Sequence, residues 1–141
     1  MMSFPIHIGR SFYPSVPVVM QQTNSIFLEE SKFLREMAEQ SDCVIVGRCA
    51  DVVLREYQPL RIFVYADMES KLGRCRAKAP EHEKMTAGEL KKHILSIDKD
   101  RAHYYEYFTG RIWGDRMNYD LCVNTTNASV KELAHVLSKL Y

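Results

Sequence analysis

The chain has 141 residues, 46% of them hydrophobic, and Lys+Arg 19 against Asp+Glu 18 leaves a formal charge of +1. That length fits one domain burying roughly two thirds of its unfolded surface, which excludes a disordered or collagen-like chain. No apolar run approaches the roughly 20 residues of a membrane helix, and Met1 to Arg10 lacks the basic and apolar regions of a signal peptide, so the chain is expected to be soluble and cytoplasmic, with no membrane partner.

In the first segment, residues 1–24, Pro5, Pro14 and Pro17 favour extended or turn conformations around Ile6–Ile8 and Val18–Met20. From an N-cap at Asn24, the residues Ile26, Phe27, Phe33, Leu34, Met37 and Ala38 recur at helical spacing and predict a helix to about Gln40. Cys43–Gly47 is short, β-branched and without alternation, the pattern of a strand buried on both faces, and Leu60–Ala66 and Asp120–Asn124 read alike. Between these strands the pattern predicts a short helix near Asp51–Tyr57 and another over Met68–Ala79. A long third helix is opened by Thr86-Ala87-Gly88-Glu89, which fits a capping box. A second such match, Ser129-Val130-Lys131-Glu132, opens a last helix with an apolar stripe of Val130, Leu133, Leu137 and Leu140. Buried strands alternating with helices predict an α/β fold, a three-layer parallel sheet with helices on both faces, and the absence of repeats or linkers makes 1–141 a single domain.

Cys43, Cys49, Cys75 and Cys122 show no C-x-x-C pairing and the five histidines no ligand spacing, so neither a disulfide framework nor a metal site is predicted. Three of the cysteines lie in or beside apolar stretches, where a free thiol behaves as a small hydrophobe. The near-neutral total gives no global pull towards nucleic acid, but it conceals a polarity. Lys71 to Arg116 carries eleven Lys/Arg against seven Asp/Glu, and the remainder eight against eleven.

Open parallel sheets bind ligands beyond the carboxyl ends of their strands, where helix N-termini and loop amides converge. Arg48 directly follows Val46-Gly47 at such a place, and Gly47 permits close backbone approach. Its guanidinium either grips a phosphate with two hydrogen bonds or pairs with Asp51 or a glutamate as a cap. On the long helix Leu90, Ile94, Ile97, Tyr104, Tyr105 and Phe108 fall on one inward stripe, with Arg101 near its centre and Asp98 at its margin. A buried charge is costly unless paired, so Arg101 is expected to be buried against an anion, either a protein carboxylate, of which Asp98 is one candidate, or a ligand phosphate. Tyr104, Tyr105, Tyr107 and Phe108 read as core packing rather than a stacking platform.

Several stretches then occur together: Cys43-Val44-Ile45-Val46-Gly47-Arg48-Cys49-Ala50-Asp51, Arg61–Ala66, and Asp98-Lys99-Asp100-Arg101-Ala102-His103-Tyr104-Tyr105. With Tyr107–Gly110, Trp113-Gly114-Asp115 and Asn118–Thr125, the chain resembles the bacterial cytidylate kinase-like family from about Ser25 to Tyr141. That family belongs to the P-loop nucleoside monophosphate kinases, which transfer the γ-phosphoryl group of ATP to a nucleotide such as CMP with Mg2+. The resemblance implies a P-loop kinase-like fold and a lid-like basic region over about 71–116. It implies substrate contacts by Arg48, Asp51 and Asp98, phosphate contacts in catalysis by Arg74, Arg76 and Arg101, and a donor base near Asn124 and Thr125. Phosphoryl transfer rests on positioning and electrostatic stabilisation, to which converging arginines are suited.

The chain departs from the family pattern in one respect: it has no G-x-x-x-x-G-K-[ST] loop to cradle donor phosphates, its six glycines being Gly9, Gly47, Gly73, Gly88, Gly110 and Gly114. Ile6–Arg10 fits a remnant of the first strand, but Ser11–Pro17 sets bulky side chains and prolines where bare amides are needed. In the family the loop-bearing strand lies between the counterparts of Cys43–Gly47 and Leu60–Ala66. The expectation is that Pro5–Arg10 fills this gap, or that a second copy in a homo-oligomer covers it, and that kinase activity is weak or absent. A non-catalytic nucleotide-binding or interaction protein that uses Arg48 and Arg101 for an anion is the alternative, and a nucleic-acid binder a third reading without a supporting motif.

Overall fold

The computed structural model describes residues 16–78 and 85–140, and of residues 16–21 the backbone alone. The segment expected to fill the sheet, Pro5–Arg10, lies outside the described residues. The chain divides into two units, Met1–Val44 and Ile45–Tyr141. The described part of the first is dominated by one helix, α1 (Val16–Gln40). It begins well before Asn24, and Val18–Met20, expected to be extended, is helical. Pro17 falls in the first turn, where a missing N–H breaks no helical hydrogen bond. Leu34 and Ser31 are its buried positions, and the Ser31 hydroxyl donates back to the Phe27 carbonyl at 2.7 Å. Ile26 and Phe33, on the predicted apolar face, are exposed.

The first predicted strand is not formed. Residues 42–46 have no regular secondary structure, and Val44 and Val46 are 95% and 89% exposed. A parallel strand is stable only with neighbours beside it and layers above and below, and among the described residues nothing pairs with this run. β-Propensity alone does not make a strand.

In the second unit a short helix, α2 (Ala50–Val53), leads through a 3-10 turn at Arg55–Tyr57 into β1 (Ile62–Tyr65). Two helices follow, α3 (Met68–Lys78) and α4 (Ala87–Thr109), then β2 (Leu121–Asn124) and α5 (Val130–Leu137). The α/β class holds, but the described sheet has two strands only. They are parallel, from Ile62 opposite Leu121 to Tyr65 opposite Asn124. Neither is buried on both faces as expected: Val64 is 58% exposed, and along β2 partly buried and exposed residues alternate.

Short caps fix the helices. Asp67 accepts from the Ser70 N–H at 2.8 Å at the head of α3. Thr86 and Glu89 form the predicted capping box on α4, and Ser129 accepts from the Glu132 N–H on α5. The predicted stripe of α4 faces inward, with Ile94 and Tyr105 buried and Leu90, Ile97, Tyr104 and Phe108 partly so. The Tyr105 hydroxyl donates to Asp51 at 2.7 Å and ties α4 to α2. Burial of the phenol, followed by the adjacent carboxylate, pushes the Tyr105 pKa far up, so the hydroxyl stays protonated as a donor. Of the cysteines only Cys49 is buried.

Both ends of the strand pair are fastened. At the entry the Arg61 guanidinium spans the Asp120 carboxylate with bonds of 3.0 and 2.7 Å, and the Arg61 N–H adds a third at 2.8 Å. These bonds hold the Asp120 carboxyl well down, at about 2 against an ordinary 3.8. A carboxylate depressed in the folded state contributes its stability above the unfolded value, and that contribution is lost as pH falls from near 4 towards 2. The pair is about one-third exposed and screened, so Asp120→Ala is expected to cost about 1 kcal/mol at neutral pH. Denaturant unfolding measured as a pH series should show this difference between variant and wild type vanishing below about pH 2.

Candidate functional site

Beyond the carboxyl ends of β1 and β2 lies a cleft of about 340 Å³ contained within the second unit. Residues Phe63 to Ala66 form its floor, α3 supplies Lys71 and Arg74, and α4 supplies Asp98 and Arg101. Trp113 and Thr125 complete the lining. Lys71 and Arg74 are three apart on α3, and Asp98 and Arg101 three apart on α4, so each pair shares a helix face.

Asp98 is the centre of the charge cluster. Its Oδ2 lies 2.5 Å from Lys71 Nζ and its Oδ1 3.2 Å from Arg101 Nη1, and the carboxylate side chain is only 21% exposed. The bridge to Lys71 joins α3 to α4. Arg74 serves a different join: Nη1 donates to Thr125 Oγ1 at 2.9 Å and Nη2 to the Thr125 carbonyl. Thr125 is 3% exposed and donates both its N–H, at 2.8 Å, and its hydroxyl, at 3.0 Å, to the Tyr65 carbonyl. The last residue of β1, the residue after β2 and the middle of α3 are thereby locked together beside the cleft.

Three cations against one carboxylate leave an excess of positive charge around a concave surface at strand ends, an arrangement suited to a polyvalent anion such as a phosphate. One wall of the cleft is aromatic. Trp113 meets Phe63 edge-on, with ring centroids 5.2 Å apart at 84°. Phe63 also contacts Tyr119 at 4.9 Å and Tyr65 at 6.3 Å.

Of the residues singled out in the sequence, Arg74, Asp98, Arg101 and Thr125 come together at the cleft. Arg101 is not buried as expected. Its side chain is 63% exposed, because the inward stripe of α4 at that turn overlooks the open cleft rather than packed core, and its anion is Asp98. Arg48, Asp51, Arg76 and Asn124 are not among the lining residues. Arg76 is exposed near the end of α3, two residues and so about 200° around the helix from Arg74. Asp51 accepts from Tyr105, and Asn124 accepts from the Thr126 N–H at 3.0 Å, closing a turn. Arg48 sits between Gly47 and Cys49 in a run of left-handed backbone, φ 75°, 58° and 54°, where the two non-glycine residues are strained. Lys71 and Trp113 also line the cleft, and no sequence signal marks either as a site residue. Lys71 opens the basic stretch, and Trp113 stands in one of the family-like motifs, yet neither signal says which side chains share a cavity.

Among the described residues no group of His, Cys, Asp and Glu is disposed to hold a metal ion. The sequence likewise offers no glycine-rich loop whose amides would cradle a donor triphosphate. None of the described helices is long and apolar enough to cross a membrane.

The model of the cytidylate kinase-like family matches residues 7–127. Among solved structures, that of an uncharacterized protein from Eubacterium ventriosum ATCC 27560 is similar, with 26% identity and a TM-score of 0.73. The likeness covers 89% of this chain and 66% of the other, so the chain spans just under two thirds of that relative's length. No curated protein matches the chain.

Proposed function

The chain belongs to the cytidylate kinase-like family, and from that premise we propose that it binds a nucleoside monophosphate such as CMP in the cleft between β1, α3 and α4. On this reading Lys71 and Arg101 take the phosphate, Asp98 holds both cations in place, and Arg74 keeps α3 against the strand ends. The observation that carries the reading is the Lys71–Asp98–Arg101 cluster at the carboxyl end of a parallel strand pair, where such sheets receive ligands. On this reading the two strands correspond to part of the three-layer sheet of P-loop kinases, of which the strand expected at Cys43–Gly47 is not formed here. ATP and Mg2+ are the family's general donor chemistry, and the reading assigns to this chain the acceptor side of that reaction. Arg48, Asp51, Arg76 and Asn124 are left to the surroundings of the nucleotide rather than to its phosphate.

Thermal-shift titration with CMP, other monophosphates and ATP, each with magnesium, tests it. A monophosphate at 100 times its dissociation constant is expected to stabilise the protein by about 2.7 kcal/mol, with ATP alone giving no shift. No response to any monophosphate would overturn the reading. Steady ADP release that Arg101→Ala abolishes would overturn its restriction to the acceptor side.

A further inference from the structure

The charge cluster accounts for one side of the cleft and leaves the other, the Trp113 wall, without a role. Trp113 is the only tryptophan of the chain and lies partly exposed on the lining of the same cavity as Lys71, Arg74 and Arg101. Its position is fixed by Phe63, which packs edge-on against it and is itself in contact with Tyr119 and Tyr65. The following residue, Gly114, holds φ 81°, and a Cβ there would sit 3.0 Å from the Phe63 ring, so backbone and ring approach as closely as glycine allows. An immobilised indole beside a phosphate-sized cation cluster is a surface on which a planar ring can stack at little entropic cost.

We propose that Trp113 is the base-stacking wall of the cleft, making the site selective for a phosphate that carries an aromatic base over a sugar phosphate or inorganic phosphate. This rests on the nucleotide reading above and adds to it a specificity-determining residue. The cations fix the phosphate end, and the indole supplies a stacking contact that a ribose phosphate cannot use. Stacking tolerates any base, so the wall separates nucleotides from simpler phosphates without choosing strongly among bases.

Trp113 fluorescence and calorimetry on the intact chain test this with CMP and ribose 5-phosphate. CMP is expected to quench the emission and to bind at least about tenfold more tightly than ribose 5-phosphate, which binds without quenching. Trp113→Leu should bring CMP down to the ribose 5-phosphate level, while Trp113→Phe retains most of the difference. If Trp113→Leu does not fold, the wild-type comparison and Trp113→Phe still decide. Equal binding of the two ligands with unchanged emission would overturn the stacking wall and leave the phosphate site standing. Binding of neither would overturn the nucleotide reading and this inference with it.

Discussion

Arg74→Ala is expected to lower the unfolding free energy by about 2 kcal/mol and to weaken monophosphate binding as well. Arg74 gives two hydrogen bonds to Thr125, one to its hydroxyl and one to its carbonyl. Hydrogen bonds from charged donors are worth about 1.5–3 kcal/mol, and truncation leaves a buried residue with an under-satisfied carbonyl. The Thr125 carbonyl retains a weaker bond from the Ala128 N–H at 3.3 Å, which keeps the cost near the lower part of that range. Arg74→Lys should recover less than half of the loss, since an ammonium does not reproduce the two-pronged grip on adjacent oxygens. Because the lock joins α3 to the strand ends, its removal also frees the helix that carries Lys71 to the cleft. Chemical denaturation and CMP titration on the same samples check both parts. A variant as stable as wild type would show that the Arg74–Thr125 contact contributes nothing.

Gly114→Ala should be more damaging still, at about 3 kcal/mol. The left-handed backbone at φ 81° costs an L-residue about 1–2 kcal/mol, and the added methyl would meet Phe63 Cζ at 3.0 Å and Cε1 at 3.3 Å. Phe63 has little room to yield, held as it is by Tyr119 and Trp113. Gly73, inside α3, is the control, because a Cβ there meets nothing within 4 Å. Gly73→Ala is expected to stabilise the protein by about 0.5–1 kcal/mol through the usual advantage of alanine in a helix. Thermal or denaturant melts of the two variants should therefore move in opposite directions.

Local signals made the helices legible in the sequence. The Thr86–Glu89 box, the Ser129 cap and the stripe from Leu90 to Phe108 each depend on neighbours a few residues away, and each is present. The strand at Cys43–Gly47 was not legible in the same way, since a buried parallel strand is made by partners distant in sequence, and among the described residues this β-branched run has no strand partner and its valines are exposed. At the N-terminal end of α1 the prolines misled, because Pro17 is as compatible with a first helical turn as with a bend. For the cleft, Asp98 and Arg101 could be paired from their spacing, and Arg74 and Thr125 followed only from what the family resemblance implies. Lys71 reaches Asp98 across 27 positions and Trp113 reaches Phe63 across 50, and neither charge pattern nor periodicity encodes such meetings. Arg101 illustrates the remaining gap: helical periodicity gives the face a residue occupies, and only the tertiary fold decides whether that face meets core or an open cleft.

The most direct test of the account is equilibrium binding of CMP to wild type and to Arg101→Ala. Arg101 is well exposed and its bond to Asp98 is a long 3.2 Å, so the substitution should leave the fold and its melting point nearly unchanged. Calorimetry is predicted to show CMP binding weakened at least about tenfold by the loss of one charged contact to the phosphate. Undiminished affinity in Arg101→Ala would place the nucleotide elsewhere and contradict the cleft as its site.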